Sequence, residues 1–230
     1  MTELEIINIR LQIHYNQESI NPNKAPIVID GIINNELFSK AKHKILWVLK
    51  EPYCDGQLSY PNYIKNKEIF KFGSKFPKPD SFWSKIAYTN YGLLHDYYHL
   101  FSVPRIRHNE EVFNALQVCA LVNIKKIKEG YTESDDDNIL AHYINSKQLI
   151  LEQIMLINPD IIIFADTLKF LEEEDVNLEL IDIFRCSTSY LGGEKLVICT
   201  SHSRNKMSLE KFCDEIFYLR EYAFFGYDFH

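Results

Sequence analysis

The sequence lacks the motifs of several common chemistries. Its five cysteines (Cys54, Cys119, Cys186, Cys199 and Cys213) form no C-x-x-C pair, which argues against a disulfide framework, a zinc ribbon or closely spaced cluster ligands. There is no G-x-G-x-x-G and no phosphate-binding G-x-x-x-x-G-K-[ST] loop, so nucleoside triphosphate chemistry is disfavoured. A serine hydrolase is disfavoured too, because the G-x-S-x-G elbow is missing. No apolar run approaches the roughly 20 residues of a membrane span. The opening "MTELEIINIR" carries acids where a secretory leader has cationic and then apolar stretches. The expectation is a cytoplasmic protein with no membrane partner.

What is present suits a globular fold. The chain has 230 residues, 46% hydrophobic and 25% charged, with neither an internal repeat nor a low-complexity linker, so a single domain over 1–230 is expected. The net charge of −7 weighs against nonspecific nucleic-acid binding, but the mean conceals a segregation. Residues 40–85 hold ten lysines against Glu51, Asp55, Glu68 and Asp80, whereas residues 129–182 hold fourteen acids against two lysines. The first stretch is suited to a polyanion and the second to solvent, if linear clustering survives folding.

Short apolar runs alternate with helical spacing. Leu4, Ile7 and Leu11 predict a first helix, and a second is expected around 34–43. "KILWVLK" reads as a strand covered on both faces. Residues 54–82, rich in proline, aromatics and lysine, read as a long loop, an insertion of a length that is usually functional. A helix capped by Ser81 is expected to run to Phe101, "NEEVFNALQ" starts another, and "VCALVN" is a strand. Helical spacing from Ile139 to Ile157 ends at Pro159, followed by the strand "DIIIFAD". "FRCSTSY" and "KLVICT" are further strands around a turn at "LGG", and Ser208 caps a last helix. This alternation predicts an α/β sandwich with a largely parallel sheet.

In an open parallel sheet, ligands gather outside the carboxyl ends of the strands. Lys50, Glu51, Pro52 and Tyr53 follow the first strand, and Asn123, Lys125 and Lys126 close the second. Asp166 follows the third, and Ser201, His202, Ser203 and Arg204 the fourth. Taken singly, each has a plain structural explanation: a loop acid, a strand terminator, a histidine on a loop carbonyl. His95 and His99 have H-x-x-x-H spacing but no zincin glutamate, and no metal is expected.

Taken in order, "LKEPYCD", "ALVNIKK", "ILEQIMLINPDIIIFAD" and "VICTSHSRNKMS" resemble the motifs of the uracil-DNA glycosylase superfamily over about residues 40–220. The resemblance implies a three-layer α/β/α sandwich around a central, largely parallel four-stranded sheet. It also implies a monofunctional DNA glycosylase that needs no cofactor, acts as a monomer on DNA and leaves an abasic site. In it, Glu51 stabilises the cationic sugar and orients water, and His202 donates to the departing base. Asn123 reads the base edge and Tyr53 walls the pocket. Lys125, Lys126 and Arg204 meet phosphates, and Met207 wedges into the emptied stack. Tyr60, Phe70, Phe72 and Phe76 are candidates to stack on the base.

The chain departs from the family pattern at four points. Glu51 stands where an aspartate is common, Cys54 where the best-known branch has a histidine, and Ser203 where a proline often follows the histidine. Leu49 and Lys50 replace a glycine-rich context. With the aromatic insertion, these departures extend the expected substrates from uracil to other modified pyrimidines, including a bulky modified cytosine of phage DNA, in repair or defence. The runner-up is a noncatalytic module of the same fold that binds a nucleic acid or nucleotide. A third is a protein-binding role for the acidic segment.

Overall fold

In a computed structural model of the chain, the structure describes residues 2–17, 19–21, 23, 25–52, 59–65, 82–127, 135–171, 181–183, 186–191, 195–200 and 207–225; for 181–183, 186–191 and 224–225 only the backbone is described. The protein is of the α/β class. Seven helices, α1 (Glu3–Tyr15), α2 (Asn35–Ser39), α3 (Tyr60–Lys65), α4 (Phe82–Leu94), α5 (Glu110–Asn114), α6 (Asp136–Ile157) and α7 (Leu209–Phe225), are described. They accompany strands β1 (Gly31–Ile32), β2 (Ile45–Leu49), β3 (Cys119–Asn123), β4 (Ile161–Ala165), β5 (Ile181–Ile183), β6 (Cys186–Leu191) and β7 (Lys195–Thr200).

The strands form one sheet in the order β1-β3-β2-β4-β7-β6-β5. Its centre, β3-β2-β4-β7, is parallel, while β1 and β6 pair antiparallel with their inner neighbours and β5 antiparallel with β6. The expectation of four strands is therefore corrected to a mixed seven-stranded sheet with a parallel core. The central strands are apolar along most of their length because both faces are covered. Trp47, Leu49, Leu121, Ile163 and Ile198 pack with α4 and α7, and Leu46, Val48, Val122, Ile162 and Val197 pack with α6. Helix α1 lies outside α6, burying Ile7, Leu11 and Tyr15. The buried indole of Trp47 donates from Nε1 to Asn90 Oδ1 at 2.8 Å, so the core polar atom is satisfied.

Helix ends follow local chemistry. Thr2 and Glu5 form a reciprocal capping box at the start of α1. Asp135 caps α6, which begins before the expected Ile139. Asn158 stops α6 in the left-handed region (φ 49°), one residue ahead of the Pro159 credited with that role. Helix α4 ends at Leu94, short of Phe101, so His95 and His99 do not share a helical face. Tyr60–Lys65 is helical, which corrects the loop expected over 54–82 within its described part. Tyr60 itself is fully buried, edge-on to Trp83, and so belongs to the core rather than to a base stack. Ser81, Phe70, Phe72 and Phe76 lie outside the described residues. Lys50 and Lys85 are buried, so the lysine cluster of 40–85 is not one exposed patch.

Gly92 marks the closest approach of α4 to α7: a Cβ there would sit 2.1 Å from Phe217 Cζ, and Phe217 is fully buried. Gly92→Ala gains about 1 kcal/mol of helix propensity but overpacks the interface, which costs about 1–3 kcal/mol. The expected net result is a lower urea midpoint, partly restored by adding Phe217→Leu. An unchanged midpoint in the single variant would show that the interface yields.

Candidate functional site at the strand exits

β2 and β3 run in register, with Leu49 opposite Asn123. The ladder continues past the strands: Ile124 N donates to Leu49 O at 2.8 Å and Lys125 N to Lys50 O at 2.9 Å. This extension carries Glu51 out beside Lys125. Lys125 Nζ stands 3.8 Å from Glu51 Oε2 and donates to Asn138 Oδ1 at 2.6 Å, with the lysine side chain 3% exposed and the glutamate 15%. Glu51 and Asn123 are thus delivered to the same end of the two neighbouring strands.

Asn123 is wholly enclosed. Its backbone N donates to Asp30 Oδ2 at 2.7 Å and its Nδ2 to the same oxygen at 3.0 Å. Lys126 Nζ donates to both Asp30 oxygens at 2.9 Å and to Gln153 Oε1 at 2.8 Å, while Gln153 Nε2 donates to Asp30 Oδ1 at 3.0 Å. Burial drives the Lys126 ammonium toward a lower pKa, against the opposing pull of Asp30. One polar atom of the cluster is left over: Asn123 Oδ1 is buried and has no hydrogen-bond partner among the described residues.

The crevice where strand order reverses lies between β2 and β4, since β2 leads to β3 on one side and β4 to β7 on the other. A cluster of four charges spans it. Lys50 Nζ meets Asp166 at 2.6 Å and Asp136 at 2.8 Å, and Lys169 Nζ meets Asp166 at 3.2 Å and Asp136 at 2.5 Å. Both ammonium groups lie over the Phe170 ring. Burial works against the Asp136 charge, but hydrogen bonds from Lys169 and Lys50 hold its carboxyl below the usual range. Asp166 adopts φ 56° and its backbone N donates to Thr200 O at 2.7 Å, tying the exits of β4 and β7 together.

The placement of the sequence candidates is therefore uneven. Glu51 and Asn123 stand at the same end of adjacent strands, whereas Tyr53, His202 and Arg204 lie outside the described residues. Met207 is partly buried against the core on the α4 and α7 side. The expectation that Lys125 and Lys126 meet phosphates is corrected: both side chains are almost fully buried and turned to internal partners. Asp30 was missed, although a lone acid within the apolar run "IVIDGII" was a usable signal.

Among the described residues, no group of histidine, cysteine and acidic side chains could hold a metal ion, and no helix is long and apolar enough to cross a membrane. No protein-family model matches the chain, and a search of the curated proteins finds none that matches it.

Proposed function

We propose that the protein is a monofunctional DNA glycosylase of the uracil-DNA glycosylase type, built as a three-layer sandwich and acting as a monomer on a uracil-like or otherwise modified pyrimidine. One observation carries this reading: Glu51 and buried Asn123 stand at the register-matched exits of the two neighbouring parallel strands, and Asn123 keeps an acceptor unpaired among the described residues. A carboxylate and a carboxamide at the exits of adjacent strands suit N-glycosidic hydrolysis, which builds positive charge on the sugar and negative charge on the leaving base. Glu51 stabilises the sugar cation and orients the water that attacks its anomeric carbon. Asn123 reads the extruded base, and His202, with Tyr53 at the pocket wall, completes the site by donating to the base oxygen as the bond breaks. Arg204 meets a flanking phosphate.

The test is incubation of the purified protein with uracil-containing DNA and with modified and unmodified phage DNAs, followed by mass spectrometry of the small-molecule fraction. A released base together with an abasic site supports the proposal and names the substrate. DNA binding with no base released from any of these substrates would instead favour a noncatalytic binding module.

A further inference from the structure

We propose that the groove along the outer face of α7 is a docking site for an extended, arginine-rich segment of a partner protein. The inference is independent of the glycosylase reading, because neither Glu51 nor Asn123 lines the groove.

The groove has a volume of about 660 Å³, within the roughly 300–1,000 Å³ typical of ligand clefts. One wall is the segment after α4, with Tyr98 and His99, and the other is α7. The walls are pinned together at two points. Leu100 N donates to Asp214 Oδ1 at 2.7 Å, while Arg220 Nη1 donates to Asp96 Oδ1 at 3.3 Å and Arg220 Nη2 to Tyr97 O at 3.4 Å. A segment docking here meets a formed cleft and spends little on ordering it.

Charge selects the kind of occupant. Glu210, Asp214, Glu215 and Glu221 line the groove against Lys211, which itself stands 4.0 Å from Glu215. The excess of carboxylates repels nucleic-acid phosphates and attracts a cation. The rings select the cation. Tyr98 and Tyr218 also line the groove and are both roughly half exposed, and a tyrosine face attracts a planar guanidinium by charge and by stacking. The protein makes this contact once with its own side chain: the Arg220 guanidinium lies 5.5 Å from the Tyr98 ring centroid and pairs with Glu221 at 2.6 Å. A tyrosine face beside a carboxylate therefore holds a guanidinium at this wall. The same two residue types stand one turn apart further up α7, at Asp214 and Tyr218.

Spacing selects an extended chain. Glu210, Asp214, Tyr218 and Glu221 follow one another in steps of three or four residues, a rise of about 5–6 Å per step. Alternate side chains of an extended segment repeat at about 6.6–7 Å, close to that interval. A polyamine supplies charge without a planar group to stack, so the tyrosines favour arginine.

The test is fluorescence anisotropy of labelled peptides with the full-length protein at about 0.15 M ionic strength. The probes are an octapeptide of alternating arginine and serine and its lysine counterpart, with spermine as competitor. The arginine peptide is expected to bind about three- to tenfold more tightly than the lysine peptide. Glu210→Gln/Glu215→Gln/Tyr218→Ala is expected to weaken it about tenfold or more. Glu3→Gln/Glu36→Gln removes the same charge from exposed positions outside the groove and is expected to change affinity less than about twofold. Should the triple variant fail to fold, Lys211→Glu adds a carboxylate at an exposed position and is expected to tighten binding about two- to fivefold, a gain that misfolding does not produce.

Equal losses in the two neutralised variants would mean attraction by net charge alone and overturn the groove as the site. Equal affinity for the arginine and lysine peptides, or displacement of the arginine peptide by spermine at matched charge concentration, overturns the arginine-rich segment as occupant. No binding of the arginine peptide overturns the proposal outright and leaves the glycosylase reading untouched.

Discussion

Glu51→Gln is expected to lower base release by about two to four orders of magnitude while leaving DNA affinity within a few-fold of wild type. The substitution keeps the shape of the side chain and removes its charge, the property required opposite a cationic sugar. Ground-state binding draws on other contacts, so affinity and turnover separate. The geometry also sets the stability cost. Lys125 loses a carboxylate 3.8 Å away but keeps Asn138 Oδ1 at 2.6 Å, so the ammonium is not left without a polar neighbour. A thermal melt close to wild type, with single-turnover release slowed at least a hundredfold, is the predicted pair of results. Unchanged release in Glu51→Gln would remove Glu51 from the chemistry. The noncatalytic module predicts no release to lose and little change in binding.

How much of this was legible in the sequence depended on whether the deciding interaction was local. Strands β2, β3 and β4 were read correctly from near-continuous apolar runs, because a strand covered on both faces is apolar along most of its length. Strand β1, two residues long, and β5, three, are too short for any periodicity to register. They are held by pairing with neighbours rather than by their own pattern. The end of α6 was placed within one residue, but the stop is a left-handed Asn158 and not the proline that follows. Glu51 and Asn123 were singled out because strand exits are where an α/β sheet collects its ligands, and both do stand at the exits of β2 and β3. Lys125 and Lys126 were misassigned for the same reason. A lysine pair after a strand reads as a rim, yet Lys126 turns inward to an acid 96 positions earlier in the chain. Burial of that kind leaves no trace in local spacing.

The buried pair also yields an asymmetric stability prediction. Asp30→Ala is expected to cost about 3–5 kcal/mol, because it strands a buried ammonium. Without Asp30, Lys126 Nζ retains Gln153 Oε1. Lys126→Met is expected to cost less, roughly 1.5–3 kcal/mol, since Asp30 still accepts from Asn123 N, Asn123 Nδ2 and Gln153 Nε2. The order of the two effects follows from which charge keeps hydrogen-bond partners. The pH dependence provides an independent check. Burial lowers the Lys126 pKa, and removing Asp30 takes away the main opposing influence, so the native lysine sheds its proton earlier still. The unfolded chain holds that proton up to about pH 10.4. Between the lowered native pKa and that value the unfolded state binds more protons, so stability rises with pH. The deficit of Asp30→Ala relative to wild type should therefore shrink between about pH 7 and pH 9.5 in urea titrations, as the stranded lysine becomes neutral. A deficit that stays constant across that range would mean that the ammonium escapes to solvent when Asp30 is removed, and that the enclosure around Asn123 is looser than its buried contacts imply.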